Sequence, residues 1–138
     1  MKIDSFKGKH FFLSNFYTAD VEYNGIKYLN NEAAFQAQKC PERAEEFSAL
    51  DPSQAKRKGR KIKLRPDWEN VKYGIMFDIV MNKFKQNPEL LDKLIKTETA
   101  QLVEGNTWGD TTWGVYRSRG KNYLGRILMQ VRNLLGGK

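Results

Sequence analysis

The sequence contains very little of what thiol, disulfide or zinc chemistry requires. Among its 138 residues, Cys40 is the only cysteine and His10 the only histidine. No disulfide can form within the chain, and no cysteine-based metal site can be assembled from it. A single histidine also disfavours a His-dependent catalytic triad. We therefore expect a function that uses no metal and no cofactor.

Long apolar runs and internal repeats are also missing. No stretch of 18 apolar residues occurs, and the first seven residues are polar and lack the apolar core of a signal peptide. We expect a soluble, cytoplasmic protein without an obligate protein partner. The length is typical of a single domain, so one domain is predicted over residues 1–138, with Gly136-Gly137-Lys138 as a frayed tail.

Positive charge, in contrast, is abundant. The chain has 24 Lys and Arg against 16 Asp and Glu, a formal net charge of +8, which favours anionic partners such as phosphorylated metabolites, nucleotides or nucleic acid. Seven of the cations lie between Lys56 and Arg65. This segment is either a phosphate-binding stretch or a solvated basic loop. Asp51-Pro52-Ser53 before it predicts the N-cap of a short helix, and Gly59 is predicted to cap the C-terminal end of that helix. No RNA-binding signature accompanies the charge.

The most informative stretch runs from Phe11 to Lys39. Its first three residues predict a short strand that leads into Ser14-Asn15-Phe16. Alternating apolar residues on both sides of Asn24-Gly25 predict a β-hairpin, because this dipeptide tolerates the two positive φ angles of a tight turn. Asn30 or Asn31 is then expected to cap a helix that extends to about Cys40.

Polar residues on this helix are spaced to lie in one stripe. Glu32, Gln36 and Lys39 stand at positions i, i+4 and i+7, between Ala33 and Ala37 on one side and Phe35 on the other. Such a stripe fits the wall of a pocket. It also fits an ordinary solvated helix face. Because most charged helix positions lie at the surface, the spacing alone favours this second interpretation.

The second half alternates helices with one irregular segment. Apolar spacing predicts a long helix from Trp68 to Asn87, a short helix around Leu90, and a strand at Leu102 and Val103. The segment from Glu104 to Gly120 is rich in glycine and aromatic residues and predicts a functional loop that contains Asp110. A final helix is expected from Asn122, with an apolar face that includes Leu124, Ile127, Leu128, Val131, Leu134 and Leu135.

Taken together and in order, these segments resemble the NADAR family of YbiA-like N-glycosidases. The matching pieces are Ser14-Asn15-Phe16, the block from Tyr28 to Lys39, Gly59-Arg60, Arg65 with Asp67-Trp68-Glu69, Asp110 with Trp113-Gly114, Gly120-Lys121-Asn122, Leu124-Gly125, Leu128-Met129 and Val131-Arg132. The sequence departs from the family pattern at Ala33 and Ala34 and in the loop from Val115 to Arg119. These departures bear on the substrate more than on the reaction.

The resemblance implies a compact, mainly helical α+β domain with a small β-hairpin or sheet, and hydrolysis of an N-glycosidic bond. One branch of the family acts on phosphorylated ribosylamino-pyrimidine intermediates of riboflavin biosynthesis, which is the function we expect. Another branch removes ADP-ribose from guanine in nucleic acid. A non-catalytic module that binds ADP-ribose or a nucleotide is a third possibility.

Breaking a ribosyl C–N bond passes through an oxocarbenium-like state, which requires a stabilising carboxylate and a second group for proton transfer. Glu32 and Asp110 are the expected pair, with Glu32 facing the anomeric carbon, although the two roles could be exchanged. Lys39 either keeps Glu32 ionised or, if the ribose ring opens, forms a Schiff base.

The resemblance also implies a set of substrate contacts. Ser14, Asn15, Phe16, Gln36 and Gly114 would line the site, with Asn15 and Gln36 bonded to the sugar. Trp68 and Trp113 would stack on the heterocycle, and Arg60, Arg65, Lys121 and Asn122 would lie near the phosphate.

Overall fold

The computed structural model of the chain describes residues 1–136, so Gly137 and Lys138 of the tail predicted to fray lie outside the described residues. Helices make up about half of the chain, which confirms the predicted mainly helical α+β class. Across these residues the α-helices are α1 (Asn31–Ala37), α2 (Pro52–Lys61), α3 (Trp68–Gln86), α4 (Pro88–Ile95) and α5 (Tyr123–Leu135). The strands are β1 (Lys2–Ile3), β2 (Thr18–Tyr23), β3 (Ile26–Asn30) and β4 (Gln101–Leu102), and 3₁₀ helices cover Gly8–Leu13 and Pro41–Phe47.

The chain divides into two compact units. The first unit comprises Met1–Ser14 and the chain from Pro88 onwards, and the second unit comprises Asn15–Asn87. None of the helices in residues 1–136 combines the length and apolar character that a membrane crossing requires.

The predicted hairpin is present in the second unit. Strands β2 and β3 pair antiparallel, and Asn24 and Gly25 between them have φ angles of 50° and 83°, the two positive values that a type I′ turn requires. Val21 and Tyr28 stand opposite each other, and both are completely buried. The hairpin thus places its apolar face in the core and carries the chain directly into α1.

Helix α3 is fixed to strand β2 by amide side chains. Gln86 Oε1 accepts from the main-chain N–H of Glu22 at 2.7 Å, and Gln86 Nε2 donates to the carbonyl of Glu22 at 3.0 Å. Asn82 Nδ2 donates to the same carbonyl, and Asn87 Nδ2 donates to the carbonyl of Asp20. These contacts hold the C-terminal end of α3 along the outer edge of the strand.

The start of α1 agrees with the prediction, and its end does not. Asn30 is the N-cap, and its Oδ1 accepts from the main-chain N–H of Ala33 at 2.7 Å. The helix ends at Ala37, three residues before the predicted end at Cys40. Every residue of this short helix is buried.

Helix α2 begins at the predicted signal but continues past Gly59. Asp51 and Gln54 form a reciprocal capping box, in which each side chain accepts from the other residue's main-chain N–H. The helix ends at Lys61, so the prediction of Gly59 as a C-terminal cap is wrong. Lys58, Arg60 and Lys61 in the last turn suit the negative end of the helix dipole, which helps the helix to pass the glycine.

In the first unit, the segment from Phe11 to Leu13 is not the predicted strand. It ends a 3₁₀ helix, in which Ser14 donates its main-chain N–H to the carbonyl of Phe11. The neighbouring side chains of Phe12 and Leu13 are both buried, and a run of apolar residues does not distinguish a buried turn from a buried strand.

The rest of the first unit follows the predicted order. Strand β4 pairs in parallel with β1, the segment from Glu104 to Gly120 has no helix or extended strand, and α5 follows it. Leu124, Ile127, Leu128 and Val131 are buried as predicted. Leu134 is 62% exposed, which contradicts its predicted place on the buried face.

The core of the second unit includes one lysine. Lys83 on α3 is 1% exposed, and its ammonium lies 5.7 Å from the ring centroid of Tyr17 and 5.2 Å from that of Phe84. Burial disfavours the charged ammonium and lowers the pKa of Lys83 to about 7.

We predict that replacing Lys83 by Met removes a pH dependence of stability. Between pH 7 and 10 the unfolded chain holds a proton on Lys83 that the folded chain has released. The wild type therefore gains stability with rising pH, by up to about 1.4 kcal/mol per pH unit relative to Lys83→Met. Urea unfolding of both proteins at pH 7, 8 and 9 measures this, and a constant difference in the free energy of unfolding would contradict it.

Candidate active site

The polar stripe of α1 lies inside the protein. Glu32 is 9% exposed and Gln36 is 7% exposed, while Ala33 and Ala37 beside them are completely buried. The interpretation that spacing alone favoured, a solvated helix face, is therefore wrong. The cause is tertiary: α1 contacts β3, α2, α3 and the 3₁₀ helix Pro41–Phe47, so no side of it is left to solvent.

Glu32 is held by a side-chain and a main-chain hydrogen bond. Gln36 Nε2 donates to Glu32 Oε2 at 2.7 Å, and the main-chain N–H of Glu32 donates to the carbonyl of Asn15 at 3.0 Å. Asn15 is itself fixed, because its Oδ1 accepts from Asn31 Nδ2 and its own Nδ2 points at the sulfur of Met76. The position of the carboxylate is thus set before any ligand arrives.

Lys39 lies just beyond the end of α1 and is half-buried. Its ammonium donates to the carbonyl of Gly59 at 3.4 Å and stands 6.0 Å from the ring centroid of Trp68. Burial is the main cause that lowers the pKa of Lys39, and the positive charges of Arg60 and Lys72 lower it further. The carboxylate of Glu32 acts in the opposite direction and raises this pKa.

Two aromatic residues of the predicted site have partners in the second unit. Trp68 is 5% exposed, and its ring packs against Phe35 with the centroids 5.0 Å apart. Phe16 is less deeply buried and lies 5.8 Å from the ammonium of Lys56. Trp68 therefore contributes packing at the end of α1, and its stacking on a heterocycle stays a prediction.

The basic segment divides into paired and exposed cations. Arg65 is bonded to Asp67 through both Nε and Nη2, at 2.6 and 3.1 Å, and Lys58 pairs with Glu46 at 2.7 Å. The main-chain N–H of Arg65 donates to the carbonyl of Lys39, so this segment also positions the lysine. The exposed cations are Arg57, Arg60, Lys61 and Lys63.

In the first unit, Asp110 organises the glycine- and aromatic-rich loop. Its Oδ1 accepts from the main-chain N–H groups of Thr112 and Trp113 at 3.0 and 2.9 Å. Asn106 holds the main chain of Asp110 from both sides, since it accepts from the N–H and donates to the carbonyl. Gly114 follows, and a side chain there would come within 2.2 Å of the carbonyl of Glu104.

Lys121 and Asn122 line a cavity of about 590 Å³ in the first unit, together with Lys2, Asp4 and Arg126 among others. Lys121 is exposed. The side chain of Asn122 already bonds the main chain, because it donates to the carbonyl of Leu102 and accepts from the N–H of Glu104. The cavity therefore joins three cations with a rigid asparagine.

The structure brings together two groups of predicted residues. Asn15, Glu32, Gln36 and Lys39 are neighbours in the second unit, and Asp110, Trp113 and Gly114 are neighbours in the first. Ser14 is buried at the end of the first unit's opening segment. The pairing of Glu32 with Asp110 stays a prediction.

Sequence reasoning missed the roles of three residues that support these groups: Asn31 and Gly59, which it considered only as helix caps or as part of the family pattern, and Asn106. Asn106 had a usable signal, because an asparagine four residues before Asp110 in a glycine-rich loop is typical of a side chain that bonds its own main chain. Asn31 and Gly59 act through tertiary contacts. Among residues 1–136, no three His, Cys, Asp or Glu side chains cluster closely enough to hold a metal ion.

Comparison with known proteins gives a consistent result. The model of the NADAR domain family matches residues 4–136. The chain is 38% identical over 128 residues to the N-glycosidase YbiA of Escherichia coli, an alignment that covers 88% of this chain and 79% of that protein. The solution NMR structure of the Escherichia coli protein YbiA superimposes with a TM-score of 0.84 at 35% identity, covering 99% of this chain and 84% of that one.

A second relative is longer. A riboflavin biosynthesis protein of Vibrio vulnificus is 37% identical over 135 residues, which is 91% of this chain but only 36% of that protein. The chain thus spans about a third of the length of that relative. The name of the Escherichia coli relative, an N-glycosidase, agrees with the predicted enzyme class, a hydrolase of N-glycosyl bonds, which is confirmed at the level of the family.

The extent of the family match, the identity to relatives along most of the chain and the agreement of the folds lead to one conclusion. The chain belongs to the NADAR family.

Proposed function

We propose that this protein hydrolyses the ribosyl C–N bond of phosphorylated ribosylamino-pyrimidines, the intermediates of riboflavin biosynthesis. The observation that carries the proposal is the buried carboxylate of Glu32, held by Gln36 and accompanied by Lys39. The names of the relatives add support, since one is an N-glycosidase and another a riboflavin biosynthesis protein. We also propose that residues 1–138 form one domain, because a single family model spans 4–136.

Glu32 is suited to stabilise positive charge on a sugar. As the bond from C1′ to nitrogen breaks, the nitrogen keeps the bonding electrons and charge develops on C1′ and the ring oxygen. A carboxylate fixed in a poorly hydrated site stabilises this charge more strongly than one in water. The hydrogen bonds of Gln36 and Asn15 fix Glu32 in advance, so little reorganisation is needed.

Proton transfer is assigned to Asp110. One of its oxygens is engaged by two main-chain N–H groups, which orient the carboxylate and leave the other oxygen to exchange a proton. It would protonate the departing nitrogen or activate the attacking water, and its role and that of Glu32 could be exchanged.

We propose two alternative roles for Lys39, and they require different charge states of its amine. A charged ammonium would keep Glu32 ionised across the reaction. A neutral amine could attack C1′ of the opened ribose and expel the aminopyrimidine as the leaving amine, which leaves a Schiff base between C1′ and Lys39 that water then hydrolyses. Burial lowers the pKa of Lys39, as the second role requires.

The remaining contacts follow the chemistry of the substrate. Ser14, Asn15 and Phe16 are proposed at the sugar, Trp68 and Trp113 at the heterocycle with Gly114 beside it, and Arg60, Arg65, Lys121 and Asn122 at the phosphate. The cavity lined by Lys121 and Asn122 also holds Lys2 and Arg126, which favours a phosphate there.

We predict that Glu32→Gln abolishes release of ribose 5-phosphate from a freshly prepared phosphoribosylamino-pyrimidine. The amide keeps the size of the side chain and one acceptor oxygen but has no negative charge to stabilise the developing positive charge, so the rate should fall by at least about 100-fold. Mass spectrometry of the products measures the rate. The matched control is Glu89→Gln, an exposed carboxylate in the first turn of α4, which should keep wild-type turnover.

Normal turnover in Glu32→Gln with an unchanged melting temperature would contradict the assignment. If the wild type released no ribose 5-phosphate but bound ADP-ribose or a nucleotide tightly in calorimetry, the protein would be a binding module.

We predict that reductive trapping with borohydride distinguishes the two roles of Lys39. Reduction of a Schiff base during turnover would add the mass of the ribosyl phosphate irreversibly to Lys39, and peptide mapping would locate it. An adduct that requires both substrate and Lys39 establishes covalent catalysis. Active enzyme without any adduct, together with Lys39→Arg that retains turnover, would leave only the electrostatic role.

A nucleic-acid substrate is the second candidate, and the exposed cations Arg57, Lys61 and Lys63 are the observation that favours it. If ADP-ribosyl-guanine in an oligonucleotide is the substrate, activity should fall steeply between 50 and 200 mM salt, as expected for several phosphate contacts (roughly 10³-fold or more). Arg57→Glu combined with Lys61→Glu should weaken it further. Activity on the small substrate alone, insensitive to salt and to both charge reversals, would exclude this function.

A further inference from the structure

Gly59 lies where helix α2 packs against the side chain of Gln36 on α1. A Cβ atom at this position would stand 1.9 Å from Oε1 of Gln36 and 2.6 Å from its amide carbon. Gly59 is completely inside α2, where glycine costs about 1 kcal/mol relative to alanine. The absence of a side chain therefore serves the side chain of Gln36 and not the helix.

The amide of Gln36 is oriented by Glu32, because its Nε2 donates to Glu32 Oε2 at 2.7 Å. An ionised carboxylate only accepts hydrogen bonds, so this orientation suits the charged form of Glu32 that the proposed function requires. The carbonyl oxygen of Gln36 is then turned towards Gly59, where it is buried and has no hydrogen-bond partner among residues 1–136. A buried, unsatisfied carbonyl is unfavourable and calls for a compensating role.

We propose that Gln36 is a positioning residue for the carboxylate of Glu32, and that Gly59 exists in α2 to give the Gln36 amide the room to hold it. The inference rests on the proposed function and refines it. Gln36 was predicted to bind the sugar, but its oxygen faces the main chain of α2 and one of its N–H groups is engaged by Glu32. Its contribution to catalysis therefore passes through Glu32.

The same close approach also includes Lys39. Its ammonium donates to the carbonyl of Gly59, the residue that accommodates Gln36. Gly59 thus contacts both Gln36 and Lys39. Gln36 holds the carboxylate of Glu32, and Lys39 interacts electrostatically with that carboxylate. A side chain at position 59 would displace Gln36 first, because the distance of 1.9 Å permits no contact.

The test begins with Gln36→Met, which keeps the length of the side chain and removes its donor. We expect kcat to fall by roughly 10- to 100-fold with little change in KM, as for loss of a hydrogen bond to a charged group. The acid limb of the pH–rate profile should move to higher pH, because a carboxylate without its donor is protonated more easily.

The second part compares two glycines inside helices. Gly59→Ala should lower both the melting temperature and kcat, whereas Gly74→Ala on α3, where a Cβ meets no atom within 4 Å, should lower neither. Adding Gln36→Ala to Gly59→Ala removes the collision. The double variant should recover the melting temperature of Gln36→Ala but keep its low kcat; recovery of wild-type kcat would overturn the proposal.

A readout without substrate separates this inference from the proposed function. ¹³C NMR titration of the Glu32 carboxyl group should give a higher pKa in Gln36→Met than in the wild type, because the charged carboxylate has lost a donor. An unchanged pKa, or turnover in Gln36→Met within twofold of the wild type, would overturn the positioning role. Absence of turnover in the wild type would instead refute the proposed function, and the titration would still decide the role of Gln36 even if Gly59→Ala failed to fold.

Discussion

The hydrogen bond between Gln36 and Glu32 is the constraint around which the second unit is built. A carboxylate that is 9% exposed has lost most of its hydration, and it stays charged only if the protein supplies donors in place of water. The donor comes from one turn further along the same helix, at 2.7 Å. Because that donor is an amide, its carbonyl also has to be accommodated, and the glycine of α2 leaves room for it.

The shortness of α1 is part of the same arrangement. Seven residues give two turns, which suffice to place Glu32 and Gln36 on one side while Asn30 closes the start of the helix. Asn15 adds a main-chain acceptor for the N–H of Glu32, a group that the first turn of a helix leaves without an internal partner. The carboxylate is therefore fixed by its own backbone as well as by its neighbour, and it needs no ligand to order it.

Local sequence signals predicted the turn and the N-terminal helix caps correctly. Features that depend on tertiary contacts, such as the burial of a side chain, could not be predicted from the sequence. The turn at Asn24-Gly25 and the cap at Asp51 depend on a few adjacent residues, and both appear as expected. The exposure of Glu32 depends on elements that contact α1 from several sides, which no spacing within the helix can reveal. Gly59 is a similar case, since its meaning lies in the side chain of Gln36, 23 positions earlier. The resemblance to the NADAR family made Glu32 a candidate catalytic residue, which the periodicity of the helix alone did not.

The amide side chains at the end of α3 have a consequence for the solubility of the folded chain. A two-stranded hairpin has open edges, whose unpaired N–H and C=O groups can recruit a strand from another molecule. Gln86 satisfies both main-chain groups of Glu22, as a neighbouring strand would, and Asn82 and Asn87 add bonds to the same edge. Helix α3 thereby covers this edge of β2, so that the edge is not available to pair with a strand of another molecule.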